Sequence, residues 1–355
     1  MILRTTFACA LCAGAALGSA VWAGPTTLHP LAARTAAAPL AVDRVDAETA
    51  QRLLALDPQH ISERDVREVL ARVPAPRIIA LHGSVPIHTM APFAEFLAAM
   101  GYPVDRLRNP GDGELTYSSF VDSREIAGAI AWHYERDGVM PLLIGHSQGG
   151  MIAIKALQDL AGASGARLAV WDPVRGRAED RTSIVDPRSG EERPVVGLQV
   201  PYAAALATGR TMRVLLGQWG MAARLRSVPD STQEFAGYFV AWDPIAGSGP
   251  DAARTDPYVA TGHARVRNVM LPADYGHLSL PLARHLADDP RTRRWISEFD
   301  PRLQGAEPPL LAADLRNIVH AADIWFSVKK HWCLEAQRYV QATGAPGPSS
   351  GQRVW

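Results

Sequence analysis

The pentapeptide Gly145-His146-Ser147-Gln148-Gly149 is the part of this sequence best suited to chemistry. A serine hydroxyl attacks a carbonyl well only when a sharp turn lifts it clear and a nearby base takes its proton. Glycines on both sides let a strand and a helix meet that closely. The bare pattern is weak: with 29 Gly in 355 residues, chance supplies about 0.12 matches in such a chain. Its flanks carry the argument. Leu142-Leu143-Ile144 reads as an apolar strand running into the motif, and Gly150-Met151-Ile152-Ala153-Ile154 reads as a helix leaving it. A hydroxyl at a helix N-terminus also meets partial positive charge that favours a developing oxyanion.

The elements that must hold this serine follow from hydrophobic spacing. Ile78–Leu81, Tyr102–Leu107, Val139–Ile144, Leu168–Trp171, Tyr238–Trp242 and Arg265–Leu271 are the predicted strands. Helical stretches lie between them, at Met90–Met100, Ser119–Arg136 and from Gly150 to Leu160. Short apolar runs alternating with helices predict an α/β fold, a mostly parallel sheet covered by helices. Residues 173–200 interrupt the rhythm with charge, and Met212, Leu215, Leu216, Trp219 and Leu225 follow near helical spacing. Together they read as a lid-like or cap-like insertion over about 173–235. Ser231-x-x-Glu234 has the pattern of a capping box and predicts a helix start.

With its strand-turn-helix context, Gly145–Gly149 resembles the nucleophile elbow of the α/β-hydrolase superfamily, particularly its lipase and esterase branches. The resemblance spans about residues 77–300 and rests on four short motifs. It implies Ser147 as nucleophile. His82-Gly83-Ser84 looks like the family's His-Gly segment, which makes the backbone amides of Ser84 and Gln148 the implied oxyanion donors. His277, in the loop Asp274-Tyr275-Gly276-His277-Leu278 beyond the last strand, is the implied base, with His263 and His285 as rivals. The acid is open at this level, because Trp171-Asp172-Pro173 and Trp242-Asp243-Pro244 repeat one pattern after two strands. Asp243 occupies the usual family position and Asp172 a minority one, while Asp256 and Asp274 remain further candidates. No organic cofactor is implied, and no metal beyond a structural calcium near the Asp residues around His277.

Composition narrows the remaining classes. Lys and Arg number 36 and Asp and Glu 36, so no general electrostatic attraction to nucleic acid or anionic membrane is expected. A chain with 47% hydrophobic and 20% charged residues is not broadly disordered. Residues 1–23 read as an export signal, with Arg4, an uncharged Phe7–Val21 stretch and a Val21-Trp22-Ala23 cleavage site. That stretch is short for a membrane span, and Gly14 and Gly18 weaken it. Cleavage would remove Cys9 and Cys12, whose C-x-x-C is then a decoy, and leave Cys333 alone.

The expected organisation is therefore a signal peptide at 1–23, a leader with helices at 24–76, a catalytic domain at 77–300 and a C-terminal helix and tail at 301–355. The expected protein is periplasmic or secreted, without a stable membrane span, and acts on a small ester or lipid. Competing readings are a serine peptidase, amidase or thioesterase on the same fold, or a silent α/β-hydrolase that binds a hydrophobic ligand or partner.

Overall fold

Five apolar runs pair side by side into one parallel sheet: β1 (Ile78–Leu81), β2 (Leu142–His146), β3 (Val200–Leu206), β4 (Thr232–Val240) and β5 (Arg265–Leu271), in that spatial order. The structure is a computed structural model describing residues 45–85, 87–209, 221, 223–303 and 314–344. Interleaved with the strands are α1 (Ala47–Leu54), α2 (Glu63–Glu68), α3 (Ala91–Ala99), α4 (Ser123–Asp137), α5 (Gln148–Leu160), α6 (Pro290–Glu298) and α7 (Ile318–Thr343). The result is an α/β protein with small extra sheets beside the main one.

Strand periodicity sorts the core into two layers. Ile78, Ala80, Leu142, Ile144, Ala204 and Tyr238 face one side, where they meet apolar residues of α1, α3 and α7. Ile79, Leu81, Leu143, Ala203, Ala205 and Phe235 face the other, against α4 and α5. Because both faces are covered, β1, β2 and β3 are buried along their whole length and read as continuous apolar runs. Each large side chain fully buried here contributes roughly 1.5–3 kcal/mol.

Register sets where the site must form. Leu81 pairs with Gly145, His146 with Leu206, Leu206 with Tyr238 and Val240 with Leu271. The strands therefore end together, and the segments after β1, β2, β4 and β5 emerge at one edge. Crevices at the carboxyl ends of parallel strands are where such sheets bind ligands.

Several sequence expectations differ from the structure. Tyr102–Leu107 is not a strand; Val104–Arg106 is a 3-10 turn entered from Pro103. Tyr102 is buried with its hydroxyl on the Pro76 carbonyl, so its apolarity reflects packing. Leu168–Trp171 does not join the main sheet. Trp171–Asp172 pairs antiparallel with Arg177–Ala178, and Ser183–Val185 with Glu192–Pro194. The 173–235 range is not all insertion, because it contains the central strand β3. Ser231-x-x-Glu234 starts no helix: β4 begins at Thr232, and Ser231 Oγ donates to the Leu157 carbonyl instead. The β-branched and aromatic content of Thr232, Phe235, Tyr238, Phe239 and Val240 outweighs a local capping pattern.

The C-terminal helix packs into the same core. Trp325 and Trp332 of α7 are fully buried in the same core as β1–β5. Lys329 Nζ donates to the carbonyls of Ile61 and Ser297, at 2.7 and 2.6 Å, tying α7 to the segment before α2 and to α6. No helix among the described residues is long and apolar enough to cross a membrane. The export signal at 1–23, the leader at 24–42, the apolar positions Met212, Leu215, Leu216 and Trp219, and the tail beyond 344 lie outside the described residues.

Candidate active site

The elbow is built as its residue types require. Ser147, between β2 and α5, has φ 52° and ψ −116°, a conformation that costs a non-glycine residue of order 1–3 kcal/mol. Packing around it leaves no room to relax. A Cβ on Gly145 would lie 2.3 Å from the Gly149 carbonyl oxygen, and one on Gly149 would lie 2.2 Å from that of Leu81. Ser147 N donates to the Leu206 carbonyl at 2.8 Å, and Thr208 Oγ1 donates to the Ser147 carbonyl at 3.1 Å. The strained turn is thus anchored from β3.

The hydroxyl so presented meets a base. His277 Nε2 lies 3.0 Å from Ser147 Oγ, and His277 Nδ1 lies 2.6 Å from Asp243 Oδ2. A carboxylate only accepts, so Nδ1 carries the proton and Nε2 keeps a lone pair for the serine hydrogen. All three side chains are buried. Burial pushes the Asp243 carboxyl up, but the His277 bond and the Ala246 and Ile245 amides outweigh it and hold the group below its ordinary value. Asp243 therefore stays ionised at neutral pH, as orienting and balancing an imidazolium requires.

The repeated Trp-Asp-Pro pattern now has a physical explanation. Asp243 Oδ1 accepts the amides of Ile245 and Ala246, both at 2.9 Å. Asp172 Oδ1 accepts those of Val174 and Arg175 in the same way, at 2.9 and 3.1 Å. Both aspartates stabilise the same side-chain turn. They differ in the second oxygen, which meets His277 at Asp243 and Arg175, at 3.6 Å, at Asp172. Of the other candidates, Asp256 pairs with Arg226, Asp274 is exposed, His263 pairs with Asp230 and His285 lies 3.9 Å from Asp314. None of these meets Ser147.

The implied oxyanion donors lie beside the serine. Gln148 opens α5, so its N–H is one that the helix leaves without an internal acceptor. Gly83 packs against the elbow so closely that a Cβ on it would lie 3.2 Å from Ser147 Cβ. The Gly83 carbonyl is held in place, accepting from His82 Nδ1 at 2.6 Å and Ser119 Oγ at 3.3 Å. In a planar trans peptide the Ser84 N–H points opposite that carbonyl. Gln148 Nε2 in turn donates to the Ser119 carbonyl at 3.0 Å, so one network fixes this loop to the head of α5.

Other residues that hold the site escaped sequence reasoning. Asn317 Nδ2 donates to the carbonyls of Ser279 and Leu282, at 2.7 and 3.0 Å, and His320 Nε2 meets the Leu280 carbonyl at 2.9 Å. Val319 N donates to the Tyr275 hydroxyl at 3.2 Å. The start of α7 thus grips the loop carrying His277. Among the described residues no group of three or more His, Cys, Asp or Glu side chains is placed to hold a metal ion.

Comparison with known proteins returns no matching family model, no matching curated protein and no matching solved structure.

Proposed function

We propose that this protein is an exported serine hydrolase of the α/β-hydrolase type that cleaves carboxylic esters. The observation that carries the reading is the continuous hydrogen-bonded chain Ser147–His277–Asp243, headed by a serine in a strained strand-to-helix turn. In the proposed mechanism His277 Nε2 takes the Ser147 proton as Oγ attacks the ester carbonyl. The Ser84 and Gln148 amides stabilise the oxyanion, each contributing roughly 2.7–4 kcal/mol in the transition state. The imidazolium then protonates the departing alcohol and an acyl-enzyme remains. Water, deprotonated by His277, attacks that ester, and the acid leaves with Ser147 restored.

Exposed apolar side chains beside the candidate residues support an apolar acyl or alcohol portion. The Phe120 ring lies 6.1 Å from that of His82, and Trp242, next to Asp243, is 70% exposed. Hydrolysis of p-nitrophenyl esters of increasing acyl length tests the reading. Turnover that falls to background in Ser147→Ala supports it. Turnover of amide or peptide substrates alone would replace it with an amidase on the same machinery.

A further inference from the structure

His146 is the one residue of the elbow motif for which the proposed mechanism has no use, yet its side chain is only 1% exposed. It ends β2, and its ring lies 5.1 Å from the His277 ring, centroid to centroid. Its Nε2 is 2.9 Å from the main-chain carbonyl oxygen of His277. A carbonyl oxygen only accepts, so Nε2 carries a proton, and in the neutral ring Nδ1 is then bare. Nδ1 has no hydrogen-bond partner. It faces Gly83 instead, where an added Cβ would lie 3.1 Å from it.

One flat ring therefore touches each of the three parts that must agree in position. It is covalently next to Ser147, it holds the main chain of His277, and it is the surface on which Gly83 of the oxyanion loop rests. The His277 loop needs such a tie. It is a single 3-10 turn, His277–Ser279, entered from Gly276 without a side-chain cap. Asn317 and His320 hold it downstream of the base, at residues 279–282, and His146 holds the base's own peptide unit.

Charge state fits the same role. His277 becomes an imidazolium during the proposed reaction, and a second cation in ring contact would oppose that step. Burial first, and the neighbouring His277 second, push His146 down to about 3, so its ring remains neutral while its neighbour ionises. Asp243 also bears on His146 with the opposite sign, and His320 with the same sign as His277.

We propose that His146 is a positioning residue of the hydrolase site, fixing the His277 main chain through Nε2–H and spacing the oxyanion loop from the nucleophile. This rests on the reading of Ser147 and His277 as nucleophile and base. A conservative pair of variants tests it. His146→Leu keeps bulk without a donor, and His146→Gln restores an N–H near the position of Nε2. Misplacement of a reacting group by about 1 Å costs about 100-fold, so His146→Leu should lose kcat by about that factor with KM changed less than about threefold. His146→Gln should recover at least about tenfold of the loss. Equal kcat in His146→Leu and wild type, or equal losses in both variants, would overturn the proposal.

Two further readouts keep failures separate. Wild type inert to a fluorophosphonate would sink the hydrolase reading itself, whereas wild type and His146→Leu reacting at one rate would sink only the positioning role. Should His146→Leu not fold, imidazole 15N spectra of the wild type decide. Between about pH 5 and 9 His146 should keep a protonated Nε2 and a bare Nδ1. Titration in that range, or the opposite tautomer, would overturn the proposal.

Discussion

Replacing Asp243 by asparagine should separate activity from stability unusually cleanly. Asp243 Oδ1 accepts two turn amides, from Ile245 and Ala246, and Oδ2 faces His277 Nδ1 at 2.6 Å. An asparagine must place its oxygen on the amides, because its NH2 cannot accept from them. The NH2 is then aimed at His277 Nδ1, which has to become the bare nitrogen. The imidazole proton moves to Nε2, where it blocks the lone pair that should receive the Ser147 hydrogen. A wrong tautomer in this arrangement costs about 10,000-fold in kcat, roughly 5 kcal/mol of transition-state stabilisation. The fold should barely notice, since both turn bonds survive. Asp243→Ala, by contrast, removes the acceptor from both turn amides, and the buried Ala246 amide alone costs about 1–3 kcal/mol. The assay is p-nitrophenyl butyrate turnover at neutral pH, paired with thermal melts. Asp172→Asn is the control and should keep turnover within about twofold, because its second oxygen faces Arg175. Asp243→Asn within tenfold of wild type would refute the reasoning. So would a loss confined to Asp172→Asn.

Other outcomes follow from the packing. Gly149→Ala puts a methyl 2.2 Å from the Leu81 carbonyl; it should cost at least about 1–3 kcal/mol of stability, and an unchanged melt would contradict the elbow geometry. Asn317→Gly keeps the left-handed backbone (φ 70°) but drops both bonds to the His277 loop. It should lower kcat several-fold while the protein stays folded, and unchanged turnover would show that α7 does not hold the base. Glu234 tests the acid limb of stability. Burial raises its carboxyl, but bonds with His331 and Lys330 more than reverse this and bring it to about 2, against an ordinary 4.5. A folded value below the unfolded one means stabilisation present in full above about 4.5 and lost as pH falls toward 2. Glu234→Gln should flatten that limb and cost about 3–5 kcal/mol at neutral pH, since Lys330 loses its buried carboxylate partner. Melts from pH 2 to 7 that superimpose on wild type would refute this.

How much of this was legible varied with how locally each feature is encoded. The elbow was legible because its spacing, its apolar strand and its helix start all lie within about fifteen residues of one another. The two aspartates looked alike for a physical reason: both encode one turn, and only the tertiary partner of the second oxygen tells them apart. β3 was missed because Val200-Pro201-Tyr202-Ala203-Ala204-Ala205-Leu206 lacks strand-forming residues at its centre. Its burial between β2 and β4 supplies what local preference does not, and Pro201 precedes the first pair with β2, Leu143 with Ala203. Asn317, His320 and His146 were invisible as site residues because each acts on a main-chain carbonyl, and no side-chain pattern marks an acceptor that every residue has. The helical character of the C-terminal segment is legible, but that Trp325 and Trp332 enter the core is not, because their partners lie far away in the sequence.

The central claim is that Ser147 is a nucleophile activated by His277. Purified protein treated with a fluorophosphonate probe and mapped by peptide mass spectrometry tests it most directly. The account predicts one phosphonylated residue, Ser147, with labelling abolished in Ser147→Ala and reduced by orders of magnitude in folded His277→Ala. A folded wild type that takes up no probe, or takes it up at another serine, would contradict it.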